Sequence, residues 1–147
     1  MRRLNPPTVW TVPDAFRTIY AHAVEVTAGA RQLHVSGQLG IATDGAMRAG
    51  FTRQLEQAMD NVEALLGAAG IGTSEIVKAT FFLTRTEDLP SLGETRRKRW
   101  SSGNPPAVTT IVVAALARAD ALVEVEVIAA VPGNNWPNRQ SRETGVN

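Results

Sequence analysis

Cysteine is absent from this 147-residue chain, which removes disulfides, thiolate zinc sites, iron–sulfur clusters and a cysteine nucleophile together. Histidine occurs only at His22 and His34, too few for a histidine-rich metal centre, so neither a metal nor another cofactor is expected. Aromatic residues make up 5%, with one tyrosine, Tyr20. Neither sign of charge dominates. With 15 Lys+Arg against 14 Asp+Glu, a net charge of +1 gives no polyanion-binding signature, and nucleic acid is not an expected partner. Long hydrophobic runs are also missing: a stretch such as 110–116 falls far short of the ~20 residues that span a bilayer. The opening Met1-Arg2-Arg3-Leu4-Asn5-Pro6-Pro7 lacks the apolar centre of a secretory signal. A cytoplasmic protein with no membrane partner is the expectation.

What remains is an ordinary globular composition, 44% hydrophobic and 20% charged, at a length that reads as one domain over residues 1–131 followed by a polar tail over 132–147. Three prolines between Leu4 and Pro13 predict an extended arm or edge strand, because proline lacks the ladder donor. Two short β-prone stretches, 24–26 and 32–36, flank Thr27-Ala28-Gly29-Ala30, which has the length and the glycine of a hairpin loop, and they read as an antiparallel pair. Glycines at 37, 40, 45 and 50 then break regularity. From Phe51, the apolar residues Leu55, Ala58, Met59, Val62, Leu65 and Leu66 recur at helical offsets, predicting a helix to about Ala69 with Gly70 as its C′ residue. A β-branched and aromatic strand is expected over 75–83. A second helix follows from about Asp88 to Trp100, with Pro90 in its first turn, and two closing strands over about 108–116 and 122–131.

The order ββαβαββ predicts an α+β or α/β layer with both helices on one face of the sheet. Ile111-Val112-Val113-Ala114-Ala115 is apolar at successive positions, which implies burial on both faces, yet no third helix is available to cover the second. Oligomerisation is the simplest cover. Several stretches, in order, resemble the Rid family of small trimeric proteins, also called YjgF or L-PSP proteins. They are Tyr20-Ala21-His22-Ala23-Val24, Val35-Ser36-Gly37-Gln38, residues 54–70 with Asn61 inside, residues 76–84, Pro105-Pro106-Ala107 and residues 123–129. The resemblance implies an α+β, YjgF-like (chorismate-mutase-like) subunit with a mixed sheet, in a homotrimer with the sheets facing the centre and small-molecule clefts between subunits. It also implies hydrolysis of reactive enamines and imines. Carried over by position, the cleft would be lined by Tyr20, Ser36, Gly37, Thr109, Thr110 and Glu124. In deaminating members a glutamate at the position of Glu124 activates water, and an arginine directly after the Pro-Ala of the strand binds the substrate carboxylate. Here that place is held by Val108, so the resemblance implies a different substrate class.

Each of these residues also has a plainer structural explanation. Tyr20 either orients a ligand or anchors the N-terminal segment with its hydroxyl in water. Glu124 and Glu126, two apart, share one face of the last strand opposite Val123, Val125 and Val127, which on a half-buried sheet is merely the wet face. On a covered face, a carboxylate becomes a better proton acceptor near neutrality. Ser36-Gly37 lacks the strand–elbow–helix setting of an acyl-transfer serine and reads as small residues permitting close approach of a ligand. Gly37, Gly40 and Gly45 do not form a phosphate-cradling pattern. The run Arg96-Arg97-Lys98-Arg99-Trp100 resembles a nucleic-acid patch, but four cations ending a helix also suit its dipole and fan around the axis. Three functions stay open: a hydrolase using Glu124, a non-catalytic ligand-binding or regulatory trimer, and an endoribonuclease. Arg17 and Arg118 are candidate substitutes for the missing guanidinium.

Overall fold

A computed structural model describes residues 1–133. The part of the predicted tail from 134 onward lies outside the described residues. The strands are β1 (Arg2–Leu4), β2 (Ala23–Glu25), β3 (Arg31–Leu39), β4 (Ile76–Leu83), β5 (Ala107–Val112) and β6 (Val123–Val131), and the helices are α1 (Phe51–Ala68) and α2 (Leu89–Arg99). The predicted ββαβαββ order is therefore found from β2 onward, with one short strand added before it. Four strands form a mixed sheet in the order β3-β6-β4-β5, in which β4 and β5 run parallel and the other pairs antiparallel.

The helix boundaries follow from local chemistry. Gly70 takes φ +74° just past α1, the left-handed turn that the C′ position requires, and Pro90 sits in the first turn of α2, where its missing N–H costs nothing. The apolar stripe of α1, Leu55, Ala58, Met59, Val62 and Leu66, is wholly removed from solvent and packs with Phe81, Leu83, Val123, Val125 and Ala129. Burying each of the larger side chains contributes about 1.5–3 kcal/mol, so this seam is the main source of stability. Two buried or half-buried amides on α1 then fix its height against the strand ends. Gln54 donates to the carbonyl of Asp120 (2.9 Å) and accepts from the Leu122 N–H (2.7 Å), while Asn61 donates to the carbonyls of Leu39 and Ile41 (3.2 and 2.9 Å). The helix thereby holds both the end of β3 and the entry to β6.

Three expectations are corrected. The β2–β3 hairpin does not form: the turn at Gly29 exists, with Ala30 N–H bonded to Thr27 O (3.2 Å), but β2 pairs with β1 and β3 pairs with β6. Gly37 does not end β3, which continues to Leu39 through a register shift between Val35 and Gln38, a bulge that absorbs the extra residue. The closing strand predicted to run to about 116 stops at Val112, and its Ile111 and Val112 are 41% and 40% exposed in the lone chain.

Candidate functional site

The register of the sheet sorts the candidate residues into two groups. Glu124 lies on β6 beside Leu39 of β3 and Phe82 of β4, on the face opposite Val123 and Val125. Its carboxylate is seated against the backbone of Gly37: a Cβ added there would fall 1.8 Å from Glu124 Oε1 and 2.9 Å from its Cγ. Only glycine leaves room for this carboxylate. The β3 bulge brings that glycine over β6, and Ser36 precedes it. This first group, Ser36, Gly37 and Glu124, is assembled within one chain.

The second group lies at the other edge of the sheet. Val108 pairs with Ala79, which pairs with Val127, so Val108 stands on the helix-covered side and packs against the core. Thr109, one residue on, pairs with Thr80 and thence with Glu126 on the bare side, where its hydroxyl accepts a hydrogen bond from Lys78 Nζ. Thr110 pairs with Phe81 and is exposed. Tyr20 reaches this edge because Ala21 bridges Ala107 in parallel and donates to Pro106 O (2.8 Å). From β6 to β5 is two strand spacings, roughly 10 Å, with β4 between. One chain alone does not gather Glu124 and Val108 into a single pocket, because they occupy opposite faces as well as different strands.

Tyr20 is tied into a small network that composition did not reveal. His22 Nε2 lies 2.6 Å from the carbonyl of Trp10, and a carbonyl only accepts, so Nε2 carries the proton. In the neutral ring Nδ1 then accepts, and the Tyr20 hydroxyl donates to it across 3.1 Å. The His22 backbone N–H is bound by Asn5 Oδ1 (2.8 Å), and its ring meets those of Tyr20 and Trp10 edge to face. From the sequence alone His22 offers only a candidate metal ligand. Its role here depends on a backbone carbonyl, for which a sequence carries no signal. Among the described residues no three His, Cys, Asp or Glu side chains cluster to hold a metal.

The cationic run at the end of α2 is committed to the fold. The Arg96 guanidinium is buried, donates to the carbonyl of Ile19 and lies 4.9 Å over the Phe81 ring, and burial lowers its pKa to about 10. Arg99 joins Asp60 and Glu63 of α1 at 2.7 Å each, and Lys98 pairs with Glu94 at 2.7 Å. Among the described residues only Arg97 of the four has no such partner. The two candidate substitute arginines are also engaged, Arg17 with Asp14 (2.9 Å) and Arg118 with Asp120 (2.7 Å).

A mixed sheet with both helices on one face, a strand bulge over a carboxylate and a bare opposite face define a class of small α+β proteins. Residues 13–131 match the family described as Endoribonuclease L-PSP. The chain is 37% identical over 112 residues to the protein DfrA of Myxococcus xanthus, covering 75% of this chain and 83% of that one. It is 33% identical to a mouse protein named 2-iminobutanoate/2-iminopropanoate deaminase, covering 75% and 79% of the two chains. Among solved structures, the Rid-family protein YyfB of Yersinia pestis superposes with a TM-score of 0.78 at 26% identity, covering 88% of this chain and 98% of that one. RidA from an Antarctic Psychrobacter gives 0.65 at 34% identity, covering 76% and 88%. The chain belongs to the Rid, or L-PSP, family. Among the described residues no helix is long and apolar enough to cross a membrane.

Proposed function

We propose that this chain is a cofactor-independent hydrolase of imines or enamines that works as a homotrimer, each cleft taking Glu124, Ser36 and Gly37 from one copy and Tyr20, Val108, Thr109 and Thr110 from the next. The observation that carries this is the Glu124 carboxylate seated on Gly37 on a sheet face that neither described helix covers, with the remaining candidates at the far edge of the same sheet. A neighbouring copy laid on that face unites the groups and removes water from Glu124. The naming of similar proteins as 2-iminobutanoate/2-iminopropanoate deaminases supports the reaction class.

In this reading Glu124 accepts a proton from water as the oxygen attacks the imine carbon. The electron pair of the C=N bond moves to nitrogen, which takes a proton, and the resulting carbinolamine collapses to a carbonyl and ammonia. The strand around Thr109 and Thr110 holds the substrate, and the Tyr20 hydroxyl, steered by His22, orients the departing nitrogen. Val108 sets the substrate class. A carboxylate placed against an apolar side chain in a drying cleft loses hydration and gains no partner, a cost of several kcal/mol. The substrate is therefore neutral or apolar where amino-acid-derived imines carry their carboxylate.

The test combines sedimentation with ammonia release from a panel of neutral and carboxylated imines. We expect a mass three times 15.8 kDa and turnover favouring neutral imines. Glu124→Gln should keep the assembly and lower turnover by roughly 10² to 10⁴, the usual contribution of a general base, with Glu126→Gln changing it little. Binding without turnover anywhere on the panel identifies a non-catalytic ligand-binding trimer instead. A monomer at micromolar concentration, or equal losses for both glutamines, overturns the proposal.

A further inference from the structure

The N-terminal arm builds a cavity of its own. It holds about 490 Å³, and seven of its ten lining residues precede residue 13, where the match to the family begins. Its walls are Pro6, Trp10 and Val12 on the arm, Pro105 on the loop before β5, and the guanidinium-bearing Arg3 and Arg17. The apolar part is a prepared surface: Trp10 is 64% exposed, and its one described ring partner is the edge of His22. An indole left open beside prolines is surface that a ligand would cover.

The polar part is equally specific. Alternation along β1 separates its two arginines. Arg2 pairs with Glu25 at 2.9 Å, whereas Arg3 turns to the loop and donates to the carbonyls of Asn104 (2.8 Å) and Pro105 (3.2 Å). Those bonds use two of the five guanidinium N–H groups, and no carboxylate lies within ion-pairing distance of Arg3 among the described residues. A half-buried cation with three unused donors and no counter-ion is electrostatically incomplete, and burial accordingly holds its pKa below the ordinary arginine value. Arg17, across the cavity, already has Asp14, so the uncompensated charge is that of Arg3.

We propose that this cavity is a binding site for a small organic anion with an aromatic or apolar body, its carboxylate on the free side of the Arg3 fork and its body against Trp10, Pro6 and Val12. The site is separate from the residues assigned above to hydrolysis and does not rest on that reading. It is linked to them through His22, which the Trp10 carbonyl and the Asn5 side chain hold and which in turn accepts from Tyr20.

Calorimetric titration of the full chain tests the assignment with phenylacetate, its neutral isostere phenylacetamide, and acetate, which lacks the ring. Phenylacetate should bind with saturation, phenylacetamide and acetate each at least about tenfold more weakly, because a charge-assisted pair and the apolar contact are lost in turn. Arg3→Gln, which keeps an N–H donor for the 104–105 carbonyls, should weaken phenylacetate about tenfold. Trp10→Ala, at an exposed side chain whose loss leaves the fold intact, should do the same independently. Equal affinity for acid and amide overturns the proposal, as does wild-type affinity in both variants or no phenylacetate binding at millimolar concentration. Because the readout is binding, an absence of imine turnover leaves this result intact, and failure here leaves the hydrolase reading intact.

Discussion

The two faces of the four-stranded sheet follow opposite rules. On the helix side Val123, Val125, Val127 and Ala129 of β6 are at most 2% exposed, and their partners across the strands are apolar except Gln38, which stands opposite Val125 at the β3 bulge. On the other side, Glu124, Glu126, Lys78, Thr80 and Thr109 alternate with Ile128 and Phe82, and among the described residues neither helix packs over them. The first face is what an isolated subunit needs in order to fold. The second is more polar than a core and more apolar than a wet surface, and Ile111 at its edge stands 41% exposed. A sheet with one face spent on folding and the other left mixed keeps its chemistry for whatever covers it.

Substitutions on the two faces should therefore separate stability from assembly. The largest effect is expected from Phe81→Ala: its ring is fully buried, tilted against Trp100 at 6.2 Å and capped by the Arg96 guanidinium, so urea unfolding should show a loss of about 3–5 kcal/mol. Ile111→Ala on the exposed edge should cost at most about 0.5 kcal/mol in a lone chain. A larger loss that grows on dilution would show that a second copy covers it.

Two glycines sharpen the same contrast. At Gly40 an added Cβ would lie 2.4 Å from the Cα of Gln54, a helix backbone that cannot yield, so Gly40→Ala should lower stability by about 1–3 kcal/mol. At Gly37 the obstructed atoms belong to the flexible Glu124 side chain. Gly37→Ala should unfold within about 1 kcal/mol of the parent while losing most hydrolytic turnover, because the carboxylate must swing away. Thermal melts and the ammonia assay, run on both variants, check the split. Equal stability losses would remove Gly37 from the site.

The sequence made α1 and β6 readable because each carries its own period and, in α1, its own stop at Gly70. It misdirected β2 and β3 for an equally physical reason. The turn signal at Thr27–Ala30 was real, but a turn only brings two segments near each other. Pairing was decided by partners far along the chain, Arg2–Leu4 for β2 and the alternating Val123–Val131 for β3. The mixed polarity of the bare face was legible from Glu124 and Glu126. The contact of Glu124 with Gly37 was not, because it depends on a bulge. Nor were the Arg96 and His22 anchors, both of which end on backbone carbonyls.

The sharpest use of the two faces concerns Val108→Arg. The side chain at 108 lies half-buried on the helix side, and Glu124 lies on the bare side two strands away, so a guanidinium introduced at 108 cannot meet a substrate held by Glu124 of its own chain. It can do so only across a boundary between copies. If the clefts are shared, the variant should gain about tenfold on carboxylated imines, worth about 1.4 kcal/mol from one charge-assisted pair after the cost of disturbing the strand. Mixing decides where the partners come from. Chains carrying both Val108→Arg and Glu124→Gln should be inactive on carboxylated imines alone, yet gain activity when refolded with wild-type chains, since some clefts then pair the new cation with an intact Glu124. A gain in Val108→Arg that no mixture with the double variant reproduces would place both groups in one chain, contrary to the register of the sheet.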